Sequence, residues 1–244
     1  MFNLGIARLR TELQAGVTVV AEQYSQAPLQ LHRPLYLEND AVPVVYFKTP
    51  SSGLLGGDEH KIEAAVGGHS QLELRTQAAT VAYRGRSAQH TKIRIEPGGK
   101  LVFHPHLLIL GTASNLTQRV SVHLFGDAEL DYQEEWCVGR IAMGERWRFE
   151  RFDYGIEVWH DDALKFRERW CINPASQPLQ SPVICGDFTH FQTRLLFGQR
   201  RQIETNESDS AISAIKDWQR QWTLKRVFGQ ITRRSYRQEP NHSF

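Results

Sequence analysis

Cysteine and methionine are scarce, with three Cys and two Met in 244 residues. Cys137, Cys171 and Cys185 are odd in number, far apart and free of any C-x-x-C pair, which leaves neither a zinc ribbon nor a disulfide framework. No apolar run approaches the length of a membrane span, and the N-terminal stretch MFNLGIARLRTELQ lacks the hydrophobic segment of a secretory signal. An excess of one charge is also missing: 29 basic residues face 27 acidic ones, for a net charge of +2. Nucleic acid and membrane surfaces are therefore not expected as partners, and short basic pairs such as Lys225-Arg226 and Arg233-Arg234 read as solvated. A cytoplasmic protein is the default expectation.

What is present is strand signal. Ile62, Ala64 and Val66 alternate with polar residues, as do Leu72 and Leu74, Ile93 and Ile95, and Val120, Val122 and Leu124. A period of two turns one face of each run toward a core. Glycine turns punctuate the runs at Gly67-Gly68-His69, Gly98-Gly99-Lys100 and Gly126-Asp127-Ala128, 31 and 28 residues apart. The spacing fits a degenerate repeat of stacked strands, a layered or solenoid-like architecture; it also fits any large β protein with regular turns. Either way, a mainly β body over about residues 15–200 is predicted, with one or two short helices. Ile212, Ile215, Trp218 and Trp222 then recur at helical spacing, which predicts a C-terminal helix over about 208–228. With no Pro-, Gly- or Ser-rich linker, the 244 residues read as one domain.

Three segments invite a chemical reading. Ser51-Ser52-Gly53-Leu54-Leu55-Gly56-Gly57-Asp58-Glu59 is rich in glycine, but it lacks the Lys of a phosphate-binding loop and the spacing of a dinucleotide fingerprint. It instead bends the backbone and sets Asp58 and Glu59 beside His60. His104 and His106 form an H-x-H after Gly98, which resembles the first half of the cupin metal motif. The acid that motif requires next is replaced by Leu110-Gly111, and Pro105 interrupts the strand. The carboxylates Asp131, Glu134, Glu135 and Glu168 have no catalytic context, and no G-x-S-x-G elbow is present.

Five ordered segments narrow the reading further: PLQLHRPLY at 28–36, GLLGGD at 53–58, TQAATVAYR at 76–84, Gln89, and CVGRIAMGER at 137–146. Together they resemble the urease accessory proteins called UreD, or UreH in some organisms. The family pattern has G-P-L-x-V-x-R-P-x-Y, G-G-L-V-G-G-D, T-T-Q-x-A-T-K-x-Y-R and C-L-G-R-x-x-x-G-E. Ser52, Arg75 and Val81-Ala82 depart from it, and beyond residue 200 the likeness fades.

The resemblance implies layered, spiral β-sheets and a maturation factor with no catalysis of its own. Its partners would be apo-urease, UreF and the GTPase UreG, and its cargo transient nickel rather than a tightly bound cofactor. In that reading Gly53, Gly56 and Gly57 supply backbone angles closed to other residues. Asp58, Thr76, Gln77, Glu134 and Glu168 would line a polar passage for the ion. Trp218 and Trp222 would serve as partner-binding anchors. The alternative is a cupin-like metal enzyme using His104 and His106.

Overall fold

The structure, a computed structural model, describes residues 3–37, 41–51, 53–198, 220–226 and 229–236. Strands there form two sheets. The first runs β15 (Ala163–Ile172), β14 (Arg151–His160), β12 (Ser114–Leu124), β9 (Gly85–Ile95), β6 (Asp58–Val66), β1 (Asn3–Gln14), β2 (Val17–Gln26). The second runs β17 (Arg220–Arg226), β18 (Gly229–Tyr236), β16 (His190–Phe197), β13 (Glu129–Cys137), β10 (Lys100–His104), β7 (Gln71–Thr76), β4 (Val44–Lys48), β3 (Gln30–Leu31). Three short strands, β11 (Leu108–Leu110), β8 (Thr80–Ala82) and β5 (Gly53–Leu54), continue it from β13 on a side branch.

The chain builds this by winding. β6, β9 and β12 are parallel neighbours in the first sheet; β7, β10 and β13, each reached through one of the three glycine turns, are parallel neighbours in the second. Ile62 pairs with Thr91 and Thr91 with Val120, while Leu72 pairs with Leu101 and Leu101 with Leu130. Both sheets thus advance in steps of 29 residues, and the repeat is real. Antiparallel hairpins, β1–β2 and β14–β15, close the two ends of the first sheet. Inward residues of both sheets meet in one buried cluster, including Ile62, Ile93, Val120, Leu72, Leu101 and Leu130.

Two boundaries differ from expectation. Strands begin at Asn3 rather than near residue 15. The predicted C-terminal helix is corrected over residues 220–226, which form strand β17 in a hairpin with β18. Only Trp222 of the helical stripe falls in that segment, and Gln221-Trp222-Thr223-Leu224-Lys225 alternates with the period of a strand. Residues 208–219, with Trp218, lie outside the described residues. The one helical turn described is a 3₁₀ turn at Ile141–Met143. No helix among the described residues is long and apolar enough to cross a membrane.

An ion pair ties the parallel stack to β16. Arg194 donates to both oxygens of Asp131 at 2.9 and 2.6 Å, and His104 Nε2 lies 3.0 Å from Oδ1. Burial alone would raise the Asp131 pKa, but hydrogen bonds from His104 and Arg194 prevail and hold it at about 2. A depressed carboxylate stabilises the fold above its unfolded pKa and loses that contribution as pH falls through the folded value. Asp131→Asn is therefore expected to lower the stability by roughly 1–3 kcal/mol at neutral pH. Urea titrations should show the gap closing between pH 3.8 and about 2. A gap independent of pH would remove the charge from the explanation.

Candidate functional site: a polar ladder between the sheets

The inward alternation that places Ile62 and Val120 in the core, in one row with Thr91, changes character toward the start of each strand. One row earlier, His60 on β6 pairs with Gln89 on β9, Gln89 with Gln118 on β12, and Gln118 with Tyr154 on β14. Neighbouring strands are about 4.8 Å apart, so His60, Gln89 and Gln118 span about 10 Å as successive rungs. Thr91, buried, adds a hydroxyl in the next row.

The second sheet faces this ladder with Thr76 and Glu134. Thr76, Gln89, Gln118, Tyr132 and Glu134 line one internal cavity of about 40 Å³, room for a few water molecules. Beside it, a cleft of about 340 Å³ is lined by His60, Thr76, Gln77, Thr80 and Gln89. Thr76, Thr80, Gln89 and Phe47 border both spaces, so cleft and cavity adjoin. The result is a line of hydroxyl, amide and carboxyl groups along two adjoining spaces.

Glu134 is the buried acid on that line. Burial raises its pKa to about 7; hydrogen bonding by Tyr132 and Tyr154 opposes the rise, and the charge of Glu168 adds to it. The Tyr132 hydroxyl donates to Oε2 at 2.5 Å. Tyr154 is the weaker partner, since its buried hydroxyl closes no hydrogen bond of good geometry. A carboxyl with a raised folded pKa destabilises the fold once the unfolded chain ionises, so stability falls as pH rises from 4.5 to about 7. Glu134→Gln is expected to be the more stable form above that window, by on the order of 3 kcal/mol. Below pH 4.5 the two forms should converge. Thermal melts across this range provide the check, and a variant less stable at pH 8 than at pH 4, relative to the parent, would contradict it.

The expected lining residues fall in different places. Thr76 and Gln77 border the cleft, and Thr76 and Glu134 the cavity. Thr76 Oγ1 also accepts the His106 N–H at 2.7 Å, so part of its work is structural. Asp58 is buried next to the ladder but lines neither space: its carboxylate accepts the Leu55 N–H at 2.8 Å and Asn3 Nδ2 at 3.3 Å. It closes its own loop. Glu168 sits half-buried on the edge strand β15 opposite Ile156, outside both spaces but within electrostatic reach of Glu134. The loop glycines divide too. Gly57 has φ +96°, as expected, whereas Gly56 has no unusual angle and is required by space, since a Cβ would lie 2.7 Å from the Arg84 carbonyl oxygen.

Sequence reasoning missed Gln118 and gave His60 and Gln89 no part in the passage. Their signal was the 29-residue step itself, since 60, 89 and 118 occupy equivalent positions of successive coils.

The two histidines of the H-x-H segment have different surroundings. β10 ends at His104, which bonds Asp131; past Pro105, His106 borders the 40 Å³ cavity. Among the described residues no group of three or more His, Cys, Asp or Glu is placed to hold a metal ion.

The segment CVGRIAMGER forms a clip. Arg140 pairs with Glu145 at 2.5 and 3.0 Å across the 3₁₀ turn, and this pairing draws the Glu145 pKa down to about 2. Residues 4–237 match the family described as UreD urease accessory protein. The chain belongs to the UreD family. It is 39% identical over 138 residues to urease accessory protein UreD 2 of Synechococcus sp. (strain JA-3-3Ab), covering 56% of this chain and 50% of that one. It is 40% identical over 158 residues to UreD of Synechococcus sp. (strain JA-2-3B'a(2-13)), covering 64% and 57%. UreH of Helicobacter hepaticus is 25% identical over 195 residues, covering 79% and 77%. The chain thus spans little more than half the length of the two Synechococcus relatives. As a UreD chain it carries the 53–58 loop and the 137–146 clip as structural fasteners, and the ladder lies between them.

Proposed function

We propose that this UreD-family chain acts in urease maturation as a non-catalytic, cytoplasmic scaffold that binds apo-urease, UreF and UreG and conducts nickel to the urease site. The observation that carries the conduit is the in-register ladder of His60, Gln89 and Gln118 facing Thr76 and Glu134, with water-sized space along it. An ion that must move needs oxygen and imidazole neighbours that replace part of its hydration without trapping it. A run of neutral amides and hydroxyls with one buried acid has that character, and a thiolate cluster would not. Nickel is cargo here, with no tightly held cofactor. The names of the relatives support the assignment to urease, and the hydrogen bond that engages His104 with Asp131 weighs against the cupin-like enzyme reading.

The test is complementation. Cells lacking their own UreD, supplied with this chain and its cognate urease operon, are expected to recover urease activity. A soluble chain that binds UreF and urease yet restores nothing would leave the scaffold and remove nickel delivery.

A further inference from the structure

The outer face of the first sheet carries its charges in rows, because register brings matching positions of neighbouring strands about 4.8 Å apart. One row, Glu63, Lys92, Ser121, Glu157 and Arg167 from β6 to β15, alternates in sign. The row beside it, Lys61, His90, Arg119, Gly155 and Arg169, contains no acid. Cations at that spacing repel, and the acids that relieve them stand in the neighbouring row. Glu59 lies 3.1 Å from Lys61, while the single carboxylate of Asp153 serves Arg119, Arg151 and Arg169. Glu63 is engaged by Arg8 at 2.6 Å rather than by Lys92.

Gly155 opens a gap in the acid-free row. A glycine inside a strand often marks a place where another group comes close, and here that group is Arg119. A Cβ at 155 would stand 3.2 Å from Arg119 Cδ, so the arginine lies across the gap. It is fixed there. Nη1 donates to the carbonyl oxygens of Gln118 and Asp153 at 2.9 and 2.7 Å, and Nη2 to Asp153 Oδ1 at 2.8 Å. A hollow of about 500 Å³ is bordered by Gly155, Arg119, His90, Lys92, Arg167 and Arg169, with Glu157 at its side. That volume is within the range of small-molecule sites. Glu168 borders it as well, but on β15 it alternates to the opposite face from Arg167 and Arg169.

We propose that this hollow binds an oxyanion of the phosphate class, free or carried on a small molecule, with Arg119 beneath it and Lys92, Arg167 and Arg169 around it. Lys92, Arg119, Arg167 and Arg169 outnumber Glu157 and the shared Asp153, so positive charge is in excess. Guanidinium groups match the edge of a phosphate with paired N–H donors, and a lysine adds a mobile point charge. His90 reports occupancy. Burial lowers its pKa, Glu59 opposes that shift, and the charges of Lys61, Arg119 and Lys92 add to it. An anion seated beside the ring offsets those three charges, so its titration moves to higher pH. The hollow is on the opposite face of the sheet from the ladder, and the site does not depend on the conduit.

The experiment titrates the purified chain with sodium phosphate, and in parallel with adenosine 5′-monophosphate, by calorimetry at an ionic strength fixed with sodium chloride. NMR follows the His90 ring in the same samples. The test variant combines Lys92→Gln with Arg167→Gln; both side chains are exposed, so the fold should survive the change. The expected result is about one phosphate per parent chain and an affinity at least ~10-fold weaker in the double variant. The His90 pKa should rise with phosphate in the parent and stay in place in the variant. Arg119→Lys keeps the charge but loses the fork, and is expected to weaken binding as well. Tighter binding of the nucleotide than of phosphate identifies a phosphorylated small molecule as the ligand, and equal affinity identifies the free ion. A parent that binds neither, or isotherms that superimpose for parent and double variant, overturn the site.

Discussion

Gly53→Ala is expected to destabilise the chain by on the order of 3 kcal/mol or more, with the transition broadened or lost in urea. Gly53 on β5 pairs with Val81 on β8, and a Cβ built on it would stand 1.9 Å from the Val81 carbonyl oxygen and 2.7 Å from its nitrogen. Both are backbone atoms and cannot swing aside as a flexible side chain would. The methyl group must break the β5–β8 pairing, which holds the loop that Asp58 closes. Because that loop leads directly into β6, the disturbance reaches His60, the first rung of the ladder. A variant within about 0.5 kcal/mol of the parent would show that the loop relaxes freely, contrary to the packing described.

Gln118→Leu is expected to do the reverse: preserve the fold and abolish delivery. Gln118 is buried, central on β12 and flanked in register by Gln89 and Tyr154. Leucine nearly matches its volume and buries no polar group, so stability should change by less than about 1.5 kcal/mol. It removes the amide in the middle of the ladder and puts a methyl surface against the 40 Å³ cavity, opposite Glu134. An ion stepping from Gln89 toward Glu134 would meet an apolar rung with no oxygen to replace lost hydration. Urease activation in the complementation assay is expected to fall at least ~10-fold, a barrier increase of only about 1.4 kcal/mol. The complex with urease partners should form as before, since Gln118 is not on the surface.

Much of this was legible in the amino-acid sequence, and the residues show why. Period-two alternation in 62–66, 93–95 and 120–124 identified inward faces because a strand with one buried side has no other way to satisfy its apolar residues. The glycine turns near 67, 98 and 126 marked the coil step, and the structure places a change of sheet at each. Continuing the alternation one residue pair earlier would have reached His60 and Gln118, and two pairs earlier, through Thr91, Gln89. They were passed over because polar side chains at strand starts ordinarily face water.

Other features could not be read in one dimension. Glu134 faces Gln118 only because the second sheet packs on the first, and no local pattern encodes that stacking. Asp58 looked like a lining acid beside a glycine bend, yet short acidic side chains compete for nearby backbone N–H groups, and Leu55 captured it. The helical spacing of Ile212, Ile215, Trp218 and Trp222 extended into residues that pair as a hairpin instead, where pairing of β17 with β18, itself held on β16, outweighs a short local stripe.

The most direct measurement counts nickel. Apo-urease would be matured with its partner proteins and either the parent chain or Gln118→Leu, then reisolated for metal analysis, with recovery of the assembled complex measured in the same samples. The conduit account predicts normal assembly in both and urease left nearly free of nickel with Gln118→Leu. Equal nickel in the two preparations, with the complex equally assembled, would show that the ion does not travel along this ladder.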